Sequence, residues 1–397
     1  MKRSLIMRAG AEALARGGID ELDLNGIAGQ VGLKPSSLRY YFANREALAE
    51  ALYDERLGEF EAAIEHAAEA GTLEDFVRDL CAFEIDNYAD YLAGKIGRKP
   101  QLGEVRALSR ERRHRIGGRY RKMLGRTGEH LHRYGVTVPP TMPMLPAHLL
   151  LENLFWMPAW IDHFHAWEFE QVKRELTELL CHGIFAEDAS LELPESADAD
   201  LVPEPAAGND ERNEAFLKAA TKLISQRGYR GTSIDAIAAE LGLTKGSFYH
   251  HNSEKELLVG RCFASSYQRV GELQRRANAG ARDPVSRFLT VVGAVIAVQM
   301  EGSEPIMRSS ALPGLPPDLR TATIAGGDSN DRWYVTELAR AQATGKVRGV
   351  DPYIAAQVIS CGTNSSYDLV QFYGYGGSDG DFATVNRLLL KGFANRV

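Results

Sequence analysis

A chain of 397 residues, 44% hydrophobic and 25% charged, has ordinary globular composition and enough material for two or three domains. Its net charge of -7 excludes a generally basic nucleic-acid coat, so any phosphate contact must come from a local patch. Cys81, Cys181, Cys262 and Cys361 form no CxxC pair, which excludes a zinc ribbon or disulfide framework and leads us to expect a reducing cytoplasm. No secretion signal or membrane span is expected after the charged segment that opens at Met1.

In chain order, an amphipathic segment over Ser4 to Arg16 predicts a helix that closes at Gly18. Gly26 to Leu48 (GIAGQVGLKPSSLRYYFANREAL) then reads as helix, turn, helix, break and a further helix start. Asp23 is placed to cap the first of these, Gly32 to make the bend, and Pro35 to occupy the first turn of the second, where its missing amide donor is harmless. That leaves Lys34, Ser36, Ser37, Arg39 and Tyr40 pointing outward, with Arg45 at the next helix start.

Arg106 to Arg133 is the most basic run. It can be read as a steering surface for an acidic ligand or as a solvated helical face, and arginine at such density favours the second. His148 to Trp167 (HLLLENLFWMPAWIDHFHAW) concentrates Phe155, Trp156, Trp160, His163 and Phe164. Such residues suit both an apolar ligand pocket and a helix–helix interface. His163-x-His165 is a poor metal motif, because alternate positions on a helix do not share a face. Phe169 to Leu180 predicts a helix running to Gly183, and the acidic, Pro- and Ala-rich stretch 187–212 predicts a flexible linker.

The chain then repeats itself. Ala236 to Leu258 (AIAAELGLTKGSFYHHNSEKELL) aligns without gaps on the earlier motif at an offset of 210, with Ile27/Ile237, Ala28/Ala238, Gly32/Gly242, Ser37/Ser247 and Leu48/Leu258 identical. A shared helical period alone would not match glycines and apolar positions in one register, so this is a duplication. Ser233 and Thr244 are the expected caps and Gly242 the bend; the outward set is Lys245, Gly246, Ser247, Tyr249 and His250, followed by Lys255. In the second half, Asp351 to Tyr375 places Cys361, Thr363, Asn364, Ser365 and Ser366 where the first half has Phe155, Met157, Pro158, Ala159 and Trp160, predicting a more polar pocket or contact face to which Tyr367 also belongs. Trp160 opposite a small residue such as Ser366 is the pairing that this asymmetry suggests. Phe382 to Leu390 predicts a last helix running to Gly392.

A short helix with exposed hydroxyls, cations and tyrosines, set behind a turn, is what a helix-turn-helix lays in the DNA major groove. Both copies resemble the DNA-binding domain of the TetR family of bacterial transcriptional regulators: a first helix ending in Gly, an Ile-Ala-x-x-x-Gly-Leu turn (Ile27 to Leu33, Ile237 to Leu243), a recognition helix and an acidic helix start. The resemblance implies an all-α fold of two tandem units: heads at 1–50 and 213–260, helical ligand and dimerisation domains at 51–186 and 261–397, and the linker between.

The resemblance also implies double-stranded operator DNA and a small apolar or aromatic effector as partners, no cofactor, and an intramolecular pseudo-dimer or a homodimer. This copy pair departs from the family pattern at Arg39, where a tyrosine is usual, and at Asn252, where the first copy has Phe42. The two heads should therefore prefer dissimilar half-sites. With eight Lys/Arg against nine Asp/Glu over Met1 to Phe60, and nine against six over Asn213 to Arg275, their salt dependence should be shallow. The rival reading, a helical enzyme using Asp162, His163 and His165 or His250 and His251, lacks a nucleophile elbow, metal signature or phosphate loop.

Overall fold

The computed structural model describes residues 2–137, 140–186, 209–242, 255–280, 283–302, 306–375 and 379–394. Over those residues the chain is helical, with one isolated antiparallel bridge between Phe185 and Val347. The first half runs α1 (Lys2–Gly17), α2 (Leu24–Gln30), α3 (Pro35–Tyr41), α4 (Arg45–Ala67), α5 (Leu73–Leu92), α6 (Arg110–Arg133), α7 (Leu145–Trp156) and α8 (Phe169–His182). The second half repeats the order as α9 (Asn209–Gly231), α10 (Ile234–Glu240), α11 (Lys255–Ala279), α12 (Pro284–Glu301), α13 (Pro317–Gln342), α14 (Pro352–Tyr373) and α15 (Asp379–Lys391). The duplication thus extends through the helices behind the heads, where the sequences have diverged. Short 3-10 segments, Leu102–Ala107 and Ser309–Gly314, occupy matching places ahead of α6 and α13.

The helix ends follow local chemistry. Asp23 accepts hydrogen bonds from the amides of Asn25 and Gly26, Thr72 from Asp75, Ser233 from Ala236, and Asp351 from Tyr353 and Ile354. Gly32 and Gly242 make the two bends at φ +67° and +65°, a backbone region that costs glycine little.

Two expectations need correction. Helix α9 starts at Asn209, inside the stretch assigned to the linker; residues 187–208 lie outside those described. The stretch from His148 to Trp167 is not one helix. It leaves α-helical geometry after Trp156 and continues as 3-10 turns at Met157–Ala159, Ile161–His163 and Ala166–Glu168, with Pro158 unable to donate to the preceding turn. Separately, among the described residues α12 is long and apolar enough to cross a membrane by length and composition, and 78% of it is buried in the protein.

The halves meet through α7 and α8 on one side and α14 and α15 on the other. At the far end, the glycines that close α8 and α15 cross backbone to backbone. The Ile184 amide donates to the Leu390 carbonyl at 2.9 Å, and the Phe393 and Ala394 amides donate to the Leu180 and Cys181 carbonyls at 3.0 and 2.7 Å. The heads are seated across the halves as well: α9 lies on the Leu102–Ala107 segment of the first unit, and Arg320 of α13 donates to the Arg16 carbonyl at the end of α1, 2.7 Å away.

Candidate nucleic-acid interface and ligand cavity

In the first head, Ile27, Ala28, Leu38, Phe42 and Leu48 are buried and hold α2 and α3 together. Leu38 is the only buried residue of α3; Lys34, Pro35, Ser36, Ser37, Arg39 and Tyr40 are all exposed, as is Arg45. Tyr40 stands 87% exposed, an unusual place for an aromatic ring unless it meets a partner. The Arg39 guanidinium rests on the Asn25 carbonyl oxygen at 3.3 Å, a bond weak enough to exchange for a base or phosphate. Phe42 turns into the core, with Arg3 over its ring.

In the second head, Ile237, Ala238, Leu258 and Val259 make the matching core, and Lys255 opens α11 with its ammonium over the Tyr229 ring, 4.3 Å from the centroid. Thr244, Lys245, Gly246, Ser247, Tyr249, His250 and Asn252 lie outside the described residues.

Behind the heads, a cavity of about 1550 Å³ extends through both halves. Its first-unit wall comes from α4, α6 and α7 (Tyr53, Tyr120, Glu152, Phe155, Trp156) and its second-unit wall from α11, α13 and α14 (Tyr267, Asp331, Tyr353, Gln357, Cys361, Asn364). The choice between pocket and interface resolves residue by residue. Phe155, Trp156, Trp160, Cys361 and Asn364 border the cavity. His163, Phe164 and Tyr367 serve packing: His163 stacks on Tyr353 at 4.0 Å, Phe164 packs edge-on against Trp160 and Tyr353, and Tyr367 is buried. Trp160 therefore faces Tyr353 rather than Ser366, whose hydroxyl instead donates within α14 to the Gly362 carbonyl. Asn364 accepts from the Ser309 amide and hydroxyl at 3.2 and 2.8 Å, pinning the segment ahead of α13. Asp162 takes a hydrogen bond from the Tyr88 hydroxyl.

One cluster escaped the sequence reading. Arg308 and Asp368 of the second unit, both buried, and the partly exposed Arg106 of the first form an ion-pair group on the cavity wall. Arg106 reaches Asp368 at 3.2 Å; Glu152 of α7 lies 3.9 Å from Arg308. Burial and the neighbouring Arg308 both depress the Arg106 pKa, so Asp368 carries the compensation for two guanidiniums. The available signal was an arginine following Ile306-Met307 and an aspartate inside the apolar run of α14, each unremarkable alone.

The basic run is divided: Arg110, Arg113 and Arg121 border the cavity, while other arginines bolt α6 to α4, the helix that carries the first head. Arg112 and Arg115 both engage Glu50, the latter at 2.6 Å; Arg119 bridges Asp54 and Glu61, and Arg126 reaches Glu65 at 3.0 Å. Singly, such half-exposed pairs contribute little, but in a row they fix one helix against the other.

The family model "Bacterial regulatory proteins, tetR family" matches residues 6–52 and 216–262, at the offset of the internal repeat and over both helix-turn-helix heads. The chain carries two TetR-family domains in tandem. Among curated relatives, the regulator HbdR of Aromatoleum sp. is 27% identical over 146 residues, 36% of this chain and 64% of its own length. The repressor KstR2 of Rhodococcus jostii is 37% identical over 62 residues, 15% of this chain and 30% of its own. The regulator YerO of Bacillus subtilis is 39% identical over 54 residues, 13% of this chain and 19% of its own. The matches thus span from about a fifth to under two thirds of these relatives' lengths. Among solved structures, a TetR/AcrR-family regulator from Thermobifida fusca (23% identity, TM-score 0.34) aligns over 47% of this chain and 99% of its own. AibR with isovaleryl coenzyme A and operator DNA (24% identity, TM-score 0.38) aligns over 46% and 99%.

In the first TetR head Lys34, Ser36, Ser37, Arg39 and Tyr40 are all exposed. What the spacing did not reveal is how each TetR unit leans on the other behind those heads.

Proposed function

We propose that the chain is a ligand-responsive DNA-binding regulator, a repressor, that works as an intramolecular pseudo-dimer with two non-identical readers. The observation that carries this reading is the presence of two TetR heads in one chain whose following helices, α7 and α8 against α14 and α15, pack as a four-helix joint. Lys34, Ser36, Ser37, Arg39 and Tyr40 read one half-site, and Arg45 grips phosphate at the start of α4. The second reader uses Thr244, Lys245, Gly246, Ser247, Tyr249 and His250, with Lys255 on phosphate. An effector with an apolar or aromatic body fills the cavity between the halves and shifts the spacing of the heads, by no more than its preference for the released state.

In-vitro selection on random duplex DNA at fixed salt tests this. Two dissimilar half-sites with centres about one helical turn (~34–36 Å) apart are expected. A palindrome with chains paired in solution would replace the proposal with a homodimer using the first head alone. Arg39→Ala is expected to weaken operator binding by about 1–3 kcal/mol and to relax selection in one half-site only. Anisotropy titrations on the selected site and on single half-site variants measure both effects, with thermal stability unchanged because the side chain is exposed.

A further inference from the structure

Asp331 sits on α13 with its carboxylate on the cavity wall. It accepts hydrogen bonds from the Ser360 hydroxyl at 3.1 Å and the Gln357 amide at 3.4 Å, both from α14. Among the described residues no lysine, arginine or histidine pairs with it; the charged neighbour that acts on it is another acid, Asp328, one turn earlier and also on the wall. Burial pushes the Asp331 carboxyl above the ordinary carboxylate range. This contrasts with Glu84, Asp368 and Glu337, buried acids that each have an arginine partner. A half-buried carboxylate held by two neutral donors is an incomplete arrangement, because its partial desolvation is not offset by a counter-ion.

The surroundings define what completes it. Tyr267, Tyr334 and Tyr353 of the second unit border the same lobe. The first unit supplies Trp156, whose indole donates to the Gln357 carbonyl oxygen at 3.2 Å, and Trp160, edge-on to Tyr353. Aromatic rings beside a carboxylate suit a positive charge on an apolar body, one face of Tyr353 being already stacked on His163. The first unit has no counterpart. The helix matching α13 is α6, which contains no aspartate; its wall residue Tyr120 donates to Glu152 at 3.3 Å, and Glu152 already faces Arg308.

We propose that the lobe around Asp331 is a binding site for an organic cation, an amine or quaternary ammonium on an aromatic or branched apolar frame. It is walled by both units and filled once per chain. This deepens the effector reading above, on which it rests only for the consequence of binding. A cation placed here touches Gln357 and Trp156 at once, so it bears directly on the joint between the halves.

The test uses the full chain without DNA. Naphthylmethyl-trimethylammonium is compared with its uncharged carbon isostere and with naphthylacetate, by isothermal titration. The expected result is saturable binding of the cation at one equivalent per chain, at least tenfold tighter than the isostere, with the anion weakest. Asp331→Asn keeps a hydrogen-bonding side chain of the same shape and is expected to weaken the cation at least tenfold while leaving the isostere within threefold. A Ser360→Ala variant, which retains the charge, is expected to keep the preference for the cation. Equal binding of cation and isostere, an Asn variant that holds the cation as before, absence of cation binding, or two equivalents per chain overturns the site. Operator selection by the same Asn variant separates the two ideas: intact DNA recognition with no cation preference removes only this site.

Discussion

Gly183→Ala is expected to destabilise the protein by on the order of 4 kcal/mol and to part the far ends of α8 and α15. A Cβ at Gly183 would lie 2.3 Å from the Leu390 carbonyl oxygen and 2.4 Å from the Lys391 carbonyl carbon. At Gly392 it would lie 2.4 Å from the Gly183 nitrogen. Both obstacles are backbone held by the hydrogen bonds at the crossing, so neither can swing aside as a side-chain tip would. Both glycines also have positive φ, +72° and +74°, which adds about 1–2 kcal/mol for an L-residue. Gly94 is the internal control: its φ is +71°, and nothing lies within 4 Å of an added Cβ. Gly94→Ala therefore reports the backbone penalty alone, and the difference between the two variants reports the crossing. Urea unfolding of both, with small-angle scattering to see whether the halves separate, makes the comparison. Equal losses in the two variants would mean that the crossing is not a tight contact.

The second large effect is expected at Asp368. Removing it as Asp368→Ala leaves the buried Arg308 and the partly buried Arg106 with Glu152 as the remaining acid, 3.9 Å from Arg308. Breaking one side of a buried ion pair costs about 3–5 kcal/mol, because the remaining charge is uncompensated. Replacing the whole group, Arg106→Met, Arg308→Met and Asp368→Leu together, should recover most of that loss. Denaturant midpoints of the single and triple variants decide the matter, and a single variant within 1 kcal/mol of the parent would show that water or rearrangement reaches the site. Since Arg106 comes from one half and Asp368 from the other, the same variants loosen the joint between halves.

What was legible in the sequence was whatever is encoded locally. Asp23, Ser233, Gly32 and Gly242 announce helix starts and bends through chemistry completed within a few residues, so the heads and the all-α class could be read directly. The exposed face of α3 followed from period alone, with Leu38 inward and Arg39 and Tyr40 outward. Long-range partners were not legible. Arg119 finds Asp54 and Glu61, and Arg308 finds Asp368, through the fold; nothing in either neighbourhood names the partner. The same limit placed Trp160 opposite a small residue when it meets Tyr353. Pro158 was in plain view as a helix terminator, yet His163 and His165 beyond it were read as positions on a helix.

The crossing at Gly183 and Gly392 also bears on dilution. Two separate subunits hold together only as far as their concentration allows, so the fraction able to grip two half-sites falls as the protein becomes scarce. With both halves on one polypeptide, association between them is a unimolecular event, and in the proposed working state occupancy of DNA follows the first power of protein concentration rather than the second. The proposed state would close off subunit exchange for the same reason: two first halves, each presenting Trp156 and Trp160 where the partner needs Gln357 and Tyr353, would not meet while the intact chain supplies the matching half at once.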